Sequence, residues 1–443
     1  MAATTTTSTK SFVQQAHATR ERVMGIVFLV LAIAMYWLFA NGVDSALVST
    51  FGLNQGQVPA ADRLPDWVIP SSGTVTLLAV LSAAMGGYQL ARGFGRLTNV
   101  ILGIVALSFI FTFLVWATRD QSINLAGMLK TAVLRSVPLT LGALSGILCE
   151  RAGVVNIAIE GLMLGSAMMS TLVGSYILSQ CGPADVPSLC TTYQVHLWGG
   201  LLAGLLTSGL LAFVHAVLSI RYKVDQIISG TVINIFSTGM TSFISSKFMQ
   251  QIPELNNVGV FKNWPVPVLS KLPVVGGIFF DSNIFTYGTY ILLVVVHVAL
   301  FYTRWGLRVR AVGEHPKAAD TLGINVFRTR YVNVVLGGLM AGFGGAYFTL
   351  GSVGRFEELM TAGRGFIGLA AMIFGKWTPF GAFGSSLIFG FADSLQNKLA
   401  LLRTPIPSQF LLMAPYIATM IALAGLVGRA IPPAADGQPY EKQ

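Results

Sequence analysis

The chain alternates long apolar runs with short charged connections, and this alternation limits its fold more than any motif does. A helix of roughly 20 apolar residues crosses a ~30 Å hydrocarbon layer. With no water in that layer, a crossing segment must pair its own backbone groups. Of 443 residues, 53% are hydrophobic and only 10% charged, so no stretch is polar for long enough to form a soluble domain. We expect an all-α polytopic membrane protein. Spans fall near 23–40, 73–91, 98–117, 124–148, 157–178, 197–219, 226–246, 284–303, 331–351, 366–375, 381–397 and 408–428, about 12 crossings. The pieces 366–375 and 381–397 are short and glycine-interrupted, each marginal for a full crossing.

Charge sets the expected orientation. Alternate connections carry 17 Lys+Arg against 7 Asp+Glu, and the others 9 against 9. Positive-inside bias then puts both termini in the cytoplasm. The net charge of +10 has no basic stripe with interleaved aromatics, so a nucleic-acid partner is not expected. Residues 1–22, rich in Thr and Ser, read as a disordered cytosolic tail. Residues 23–123 hold three spans, 124–430 the remaining core, and 431–443 a polar cytosolic tail. No small-residue cleavage site closes the first run, so it reads as a retained helix.

Function classes fall away by motif. There is no G-x-x-x-x-G-K-[ST] phosphate loop, zinc-binding His-Glu pattern or nucleophile elbow, and no Cys/His cluster at metal spacing. An enzyme or metal site is therefore not expected. His215 and His297 lie within spans and read as hydrogen-bonded packing residues ahead of proton carriers. Cys181 and Cys190 share one loop, CGPADVPSLC. A bridge would suit an oxidising compartment, and two unpaired thiols would fit the sequence equally well.

The segment 304–330, RWGLRVRAVGEHPKAADTLGINVFRTR, carries six basic and two acidic residues between two spans. Sidedness explains its arginines. It does not explain the short helix in its middle. Pro316 suits a first helical position, and Gly323 the left-handed residue past a helix end. Between them Ala318, Ala319 and Leu322 share one small apolar face. Such a helix reads as presented to a cytosolic partner.

Two glycine-rich regions, 141–168 and 363–391, interrupt apolar runs in each half of the chain. Breaks at matching places point to a pathway near a repeat interface, while glycine also permits close helix packing. Asn156 and Glu160 are one helical turn apart in the first region. A carboxylate in an apolar zone must be paired or face water. Glu160 therefore lies by a path, bonds an unwound backbone, or pairs with Arg151 or Lys130. Asp393 has the same alternatives, and Lys130 is near enough to an outer end to snorkel.

At PLTLGALSGILCERAGVVNIAIEGLMLGSAM (138–168) the sequence resembles permease subunits of bacterial ATP-binding-cassette importers. The branch is that of ribose-type sugar permeases, and the likeness is strongest to nucleoside members served by a basic-membrane-protein-type binding lipoprotein. KVDQIISGTVINIF (223–236) and GLRVRAVGEHPKAADTLGINVFRTRYVNVVLGGLMAGFGGA (306–346) carry the same resemblance, which covers roughly 124–430. It implies a multi-pass subunit of the bacterial cytoplasmic membrane that pairs with a second permease, a different chain or a second copy of itself. Cytosolic ATPase subunits would bind ATP and Mg, so no cofactor binds this chain directly, and a lipoprotein would deliver substrate outside. Pro316–Gly323 becomes the coupling helix, with Ala318, Ala319 and Leu322 in the ATPase groove and Arg308, Arg310 and Glu314 at its rim. Asn156, Glu160, Asn234 and Phe366 become candidates for the substrate pathway. The resemblance implies nucleosides, with simple sugars as the alternative. From the residues alone, an ion-coupled transporter using Glu160 and Asp393, or a non-transporting scaffold, remains open.

Overall fold

In the computed structural model, the described residues are 4–41, 43–55, 63–181, 192–401, 413 and 430–442. The chain divides into two compact units, residues 1–127 with 398–405 and residues 128–397 with 406–443. Among the described residues, nine helices are long and apolar enough to cross a membrane. They coincide with the first nine expected runs. The count of about 12 is not confirmed among the described residues. Run 366–375 is an 11-residue helix, Arg364–Phe374, about 16 Å long at 1.5 Å per residue. Run 381–397 lies in a 23-residue helix, Pro379–Leu401, which has the length but carries Asp393 and Lys398. Run 408–428 lies outside the described residues apart from Met413.

In the first unit, α1 (Thr4–Ala34) continues through one wide turn to Ala40, and α2 (Ser71–Ala91) and α3 (Thr98–Ala117) follow. Helix α1 occupies most of the segment expected to be disordered. Residues 4–22 hold no glycine or proline, and extending an existing helix needs no new nucleus. The all-α expectation also needs a correction, because a small sheet lies between these helices. Strand β1 (Val48–Gly52) pairs antiparallel with β2 (Trp67–Pro70) and parallel with β3 (Ser122–Asn124). Aromatic and β-branched residues favour that pairing, and Phe51 is fully buried, stacked 5.7 Å from Phe111.

The second unit is built around α4 (Leu125–Glu150), whose residues Leu139–Cys149 are buried throughout. Around it lie α5 (Ile159–Ser179), α6 (Val195–Ala216), α7 (Gln226–Ile244) and α8 (Ile284–Tyr302). Then come the short α9 (Arg304–Glu314) and α10 (Pro316–Thr321), and α11 (Val326–Ala346), which wide turns extend to Val353. Last are α12 (Arg364–Phe374) and α13 (Pro379–Leu401). Lipid tails are as apolar as leucine, so membrane helices associate through close packing and hydrogen bonds. Helices α5, α6 and α11 do both. A Cβ on Gly345 would sit 2.2 Å from the Met163 carbonyl oxygen, and one on Gly200 2.4 Å from that of Ser170. The Ser166 hydroxyl donates to the Gly342 carbonyl and that of Ser208 to the Gly338 carbonyl, each at 2.6 Å.

Candidate functional site

Helix α4 stops at Glu150 and α5 starts at Ile159, so ERAGVVNIAIEG is a break in which Gly153 takes φ +83°. Asn156 and Glu160 therefore do not share a helical turn, contrary to expectation. The freed backbone groups find side chains. Val155 N–H donates to Gln226 Oε1 (2.6 Å), and its carbonyl lies 3.0 Å from His215 Nε2. Asn234 donates to the Ile157 carbonyl (2.9 Å) and accepts from Gly161 N–H (2.8 Å). Asn156 accepts from Ala158 N–H (3.1 Å), and its amide group lies 3.4 Å from Cys149 Sγ. Irregular backbone at membrane depth needs such partners. His215 is the hydrogen-bonded packing residue expected, also 3.0 Å from the Ser229 hydroxyl, whereas Gln226 was not expected here. The signal for Gln226 was a polar side chain opening an apolar run.

Glu160 projects from the first turn of α5 onto the start of α12. Its Oε1 accepts from the Thr361 hydroxyl (2.6 Å) and Gly363 N–H (2.8 Å), and its Oε2 from Gly365 N–H (2.7 Å). Gly363 is the N-cap of α12, so a carboxylate from one helix caps the positive end of another. Arg151 instead donates to the Trp377 carbonyl (3.1 Å), and Lys130 pairs with Asp281 (2.8 Å). The two glycine-rich regions thus pack on each other. A Cβ on Gly365 would meet Glu160 N at 2.6 Å, and one on Gly368 the Leu139 carbonyl oxygen at 3.1 Å. Of the four pathway candidates, Asn156, Glu160 and Asn234 are committed to these bonds, while Phe366 remains 46% exposed.

At the end of the unit that holds Glu150, the short α9 and α10 and the following α11 each carry an N-cap. Thr303 accepts from Gly306 N–H (3.2 Å), His315 Nδ1 from Ala318 N–H (3.1 Å) and Asn325 from Arg328 N–H (2.9 Å). Pro316 opens α10, and Gly323 follows it at φ +78°. The expected apolar face divides. Leu322 is 82% exposed and Ala318 is exposed, but Ala319 is buried against Val312, Val326 and Tyr440. Arg308 is exposed, and Arg310 lies over the Phe301 ring at 5.2 Å. A Cβ on Gly313 would sit 2.2 Å from the Arg151 carbonyl oxygen, so α9 rests directly on the break.

Residues 430–442, read only as a polar tail, pack onto this end. Ala435 N–H donates to the Gly313 carbonyl (2.9 Å), and Ala434 N–H to Glu314 (3.2 Å). The buried Arg330 donates to the Gln438 carbonyl (2.9 Å), and Lys223 pairs with Glu441. The Tyr440 ring lies 5.3 Å from that of Phe327. Burial pushes the Asp436 carboxyl, which lies beside Glu150, up to about 6. The buried Ala435 and Tyr440 were the available signal, since apolar side chains in a polar tail need a surface to cover them. Cys149 is a free buried thiol, and Cys190 lies outside the described residues. Among the described residues, no group of three or more His, Cys, Asp or Glu could hold a metal ion.

A guanosine ABC transporter permease, NupQ of Bacillus subtilis, is 41% identical over 315 residues, covering 69% of this chain and 94% of the relative. A nucleoside ABC transporter permease, NupC of Lactococcus lactis, is 40% identical over 311 residues with the same coverage. A putative glucose ABC transporter permease, TsgC13 of Haloferax volcanii, is 33% identical over 277 residues, covering 62% of this chain and 78% of the relative. No solved structure matches. The family described as branched-chain amino acid transport system / permease component matches residues 128–428, and this chain belongs to it.

Proposed function

We propose that this multi-pass protein is the permease subunit of an ATP-driven nucleoside importer in a bacterial cytoplasmic membrane. The observation that carries this reading is the 41% and 40% identity to guanosine and nucleoside permeases across 94% of each. The 33% identity to a putative glucose permease favours simple sugars as the second reading. In both readings the chain forms the path, and partner ATPase subunits bind ATP and Mg. A second permease completes the path, and a binding lipoprotein supplies the substrate.

Helix α10 receives the ATPase stroke, with Leu322 as its apolar contact and Arg308 steering the encounter. Ala319 has no part in that contact, because its side chain packs inward. A connected set of contacts supports a mechanical route from α10 to the membrane interior. Gly313 of α9 seats on the Arg151 carbonyl, Arg151 holds the Trp377 carbonyl, and α12 joins Trp377 to the Glu160 cap. Such elements move as packed bodies between discrete arrangements. Residues 23–123 are an addition to the permease core, which starts near residue 124.

The test is uptake of labelled guanosine and glucose by the complete importer in proteoliposomes, with and without ATP. ATP-dependent guanosine uptake is expected, together with loss of ATPase co-purification in Leu322→Asp. Uptake of both substrates without ATP, driven by an ion gradient, would overturn the reading.

A further inference from the structure

Three charged side chains, Arg135 of α4, Arg364 at the start of α12 and Asp393 of α13, have no part in the coupling route. Arg135 lies ten residues into α4 and Asp393 fourteen residues into α13. At 1.5 Å per residue Arg135 lies about 15 Å along a helix long and apolar enough to cross a membrane, and Asp393 about 21 Å along α13. Arg135 pairs with Asp393 Oδ2, and Arg364, at the start of α12, approaches the same oxygen at 3.7 Å. Arg364 also lies over the Phe348 ring at 5.5 Å and donates to the Met360 carbonyl at 3.3 Å.

Simple charge compensation does not account for this cluster. A structural pair needs one cation for each anion, as Lys130 and Asp281 have. Here two guanidiniums share one carboxylate oxygen, and among the described residues no group bonds Asp393 Oδ1. The three side chains keep 30%, 31% and 27% of their surface accessible, while Ser136 and Ser394 beside them are buried. A charge ten residues into a crossing helix such as α4 that keeps open surface faces water or protein, because facing lipid is too costly. Glu160 is the contrast, since both of its oxygens are already bonded.

We propose that Arg135, Arg364 and Asp393 form a transient binding site for the hydroxylated sugar ring of the transported molecule. Asp393 Oδ1 accepts hydrogen bonds from a vicinal diol, and the free guanidinium N–H groups donate to hydroxyl or ring oxygens. This chemistry reads the sugar and tolerates different bases. It would serve a ribonucleoside and a simple sugar alike. The inference rests on the importer reading above and adds the residues that recognise substrate inside the membrane.

The test uses the complete importer in proteoliposomes with a ribonucleoside and its 2′,3′-dideoxy counterpart, for wild type, Asp393→Asn and Arg364→Gln. ATPase activity without substrate reports folding and assembly. In wild type the dideoxy compound should show a KM at least ~10-fold higher, since a site built around hydroxyls is left unpaired by an analogue lacking them. Asp393→Asn should raise KM for the ribonucleoside by about 10- to 100-fold and leave that of the dideoxy compound unchanged. Arg364→Gln keeps the Arg135–Asp393 pair, so it still reports if the first variant fails to assemble, and it should lose part of the discrimination. Equal wild-type KM values for the two compounds, or variants that raise both KM values equally, would overturn this site alone. Wild-type importer that moves neither nucleosides nor sugars with ATP would overturn the importer reading and this site with it.

Discussion

Replacing Glu160 by Gln separates a capping role from a pathway role. The carboxylate accepts three hydrogen bonds at 2.6, 2.8 and 2.7 Å, two of them from backbone N–H groups at the start of α12. A hydrogen bond to a charged group contributes about 1.5–3 kcal/mol, and a negative charge at a helix N-terminus roughly 0.3–2 kcal/mol. Glutamine keeps one acceptor oxygen, loses the charge, and turns an N–H₂ group toward one of the two N–H donors. For a partly buried group these losses overlap, and we expect a net cost of about 2–3 kcal/mol. At 1.4 kcal/mol per factor of ten, that is roughly 30- to 150-fold in the local opening of α12. Hydrogen exchange of peptides covering 361–374, in detergent or nanodiscs, measures it directly. Faster exchange there, with peptides from α6 unchanged, is the expected pattern. Wild-type exchange in a variant that cannot transport would refute the capping argument and return the carboxylate to the substrate path.

Gly345→Ala forces a methyl group against the Met163 carbonyl. It should cost about 1–3 kcal/mol and lower the thermal midpoint of the detergent-solubilised protein. Gly239→Ala, whose Cβ meets nothing within 4 Å, is the control and should be neutral or slightly stabilising. Tyr440→Ala removes a buried ring from the cluster with Val312, Ala319 and Val326, at about 3 kcal/mol. Limited proteolysis should then cut within 430–442 and ATPase co-purification should weaken, whereas an unchanged cleavage pattern would contradict the docked tail. Asp436 binds its proton more tightly folded than unfolded, since its pKa rises from 3.8 to about 6. Its contribution is therefore constant below ~4, falls as pH rises to ~6, and is flat above. Exchange in 430–442 should be slower at pH 5 than at pH 7 after correction for intrinsic rates, and Asp436→Asn should reduce the difference.

Local features were readable because their physics is local. Among the described residues, nine apolar runs became nine helices long and apolar enough to cross a membrane, since a run of that length needs only its own backbone bonds to enter one. The Pro316 start and Gly323 end of α10 were readable too, because both depend on backbone dihedrals of single residues. Tertiary structure decided whatever depended on distant partners. Ala319 and Leu322 looked like one face until Tyr440, far along the chain, covered the first and left the second exposed. Asn156 and Asn234 looked free for a ligand until the break at 151–158 took their amides. Glu160 had three possible fates in the sequence. Only the approach of α12, some two hundred residues later, brought the N–H groups that hold its carboxylate. A polar group in a membrane must be bonded, and the fold determines which partner it finds.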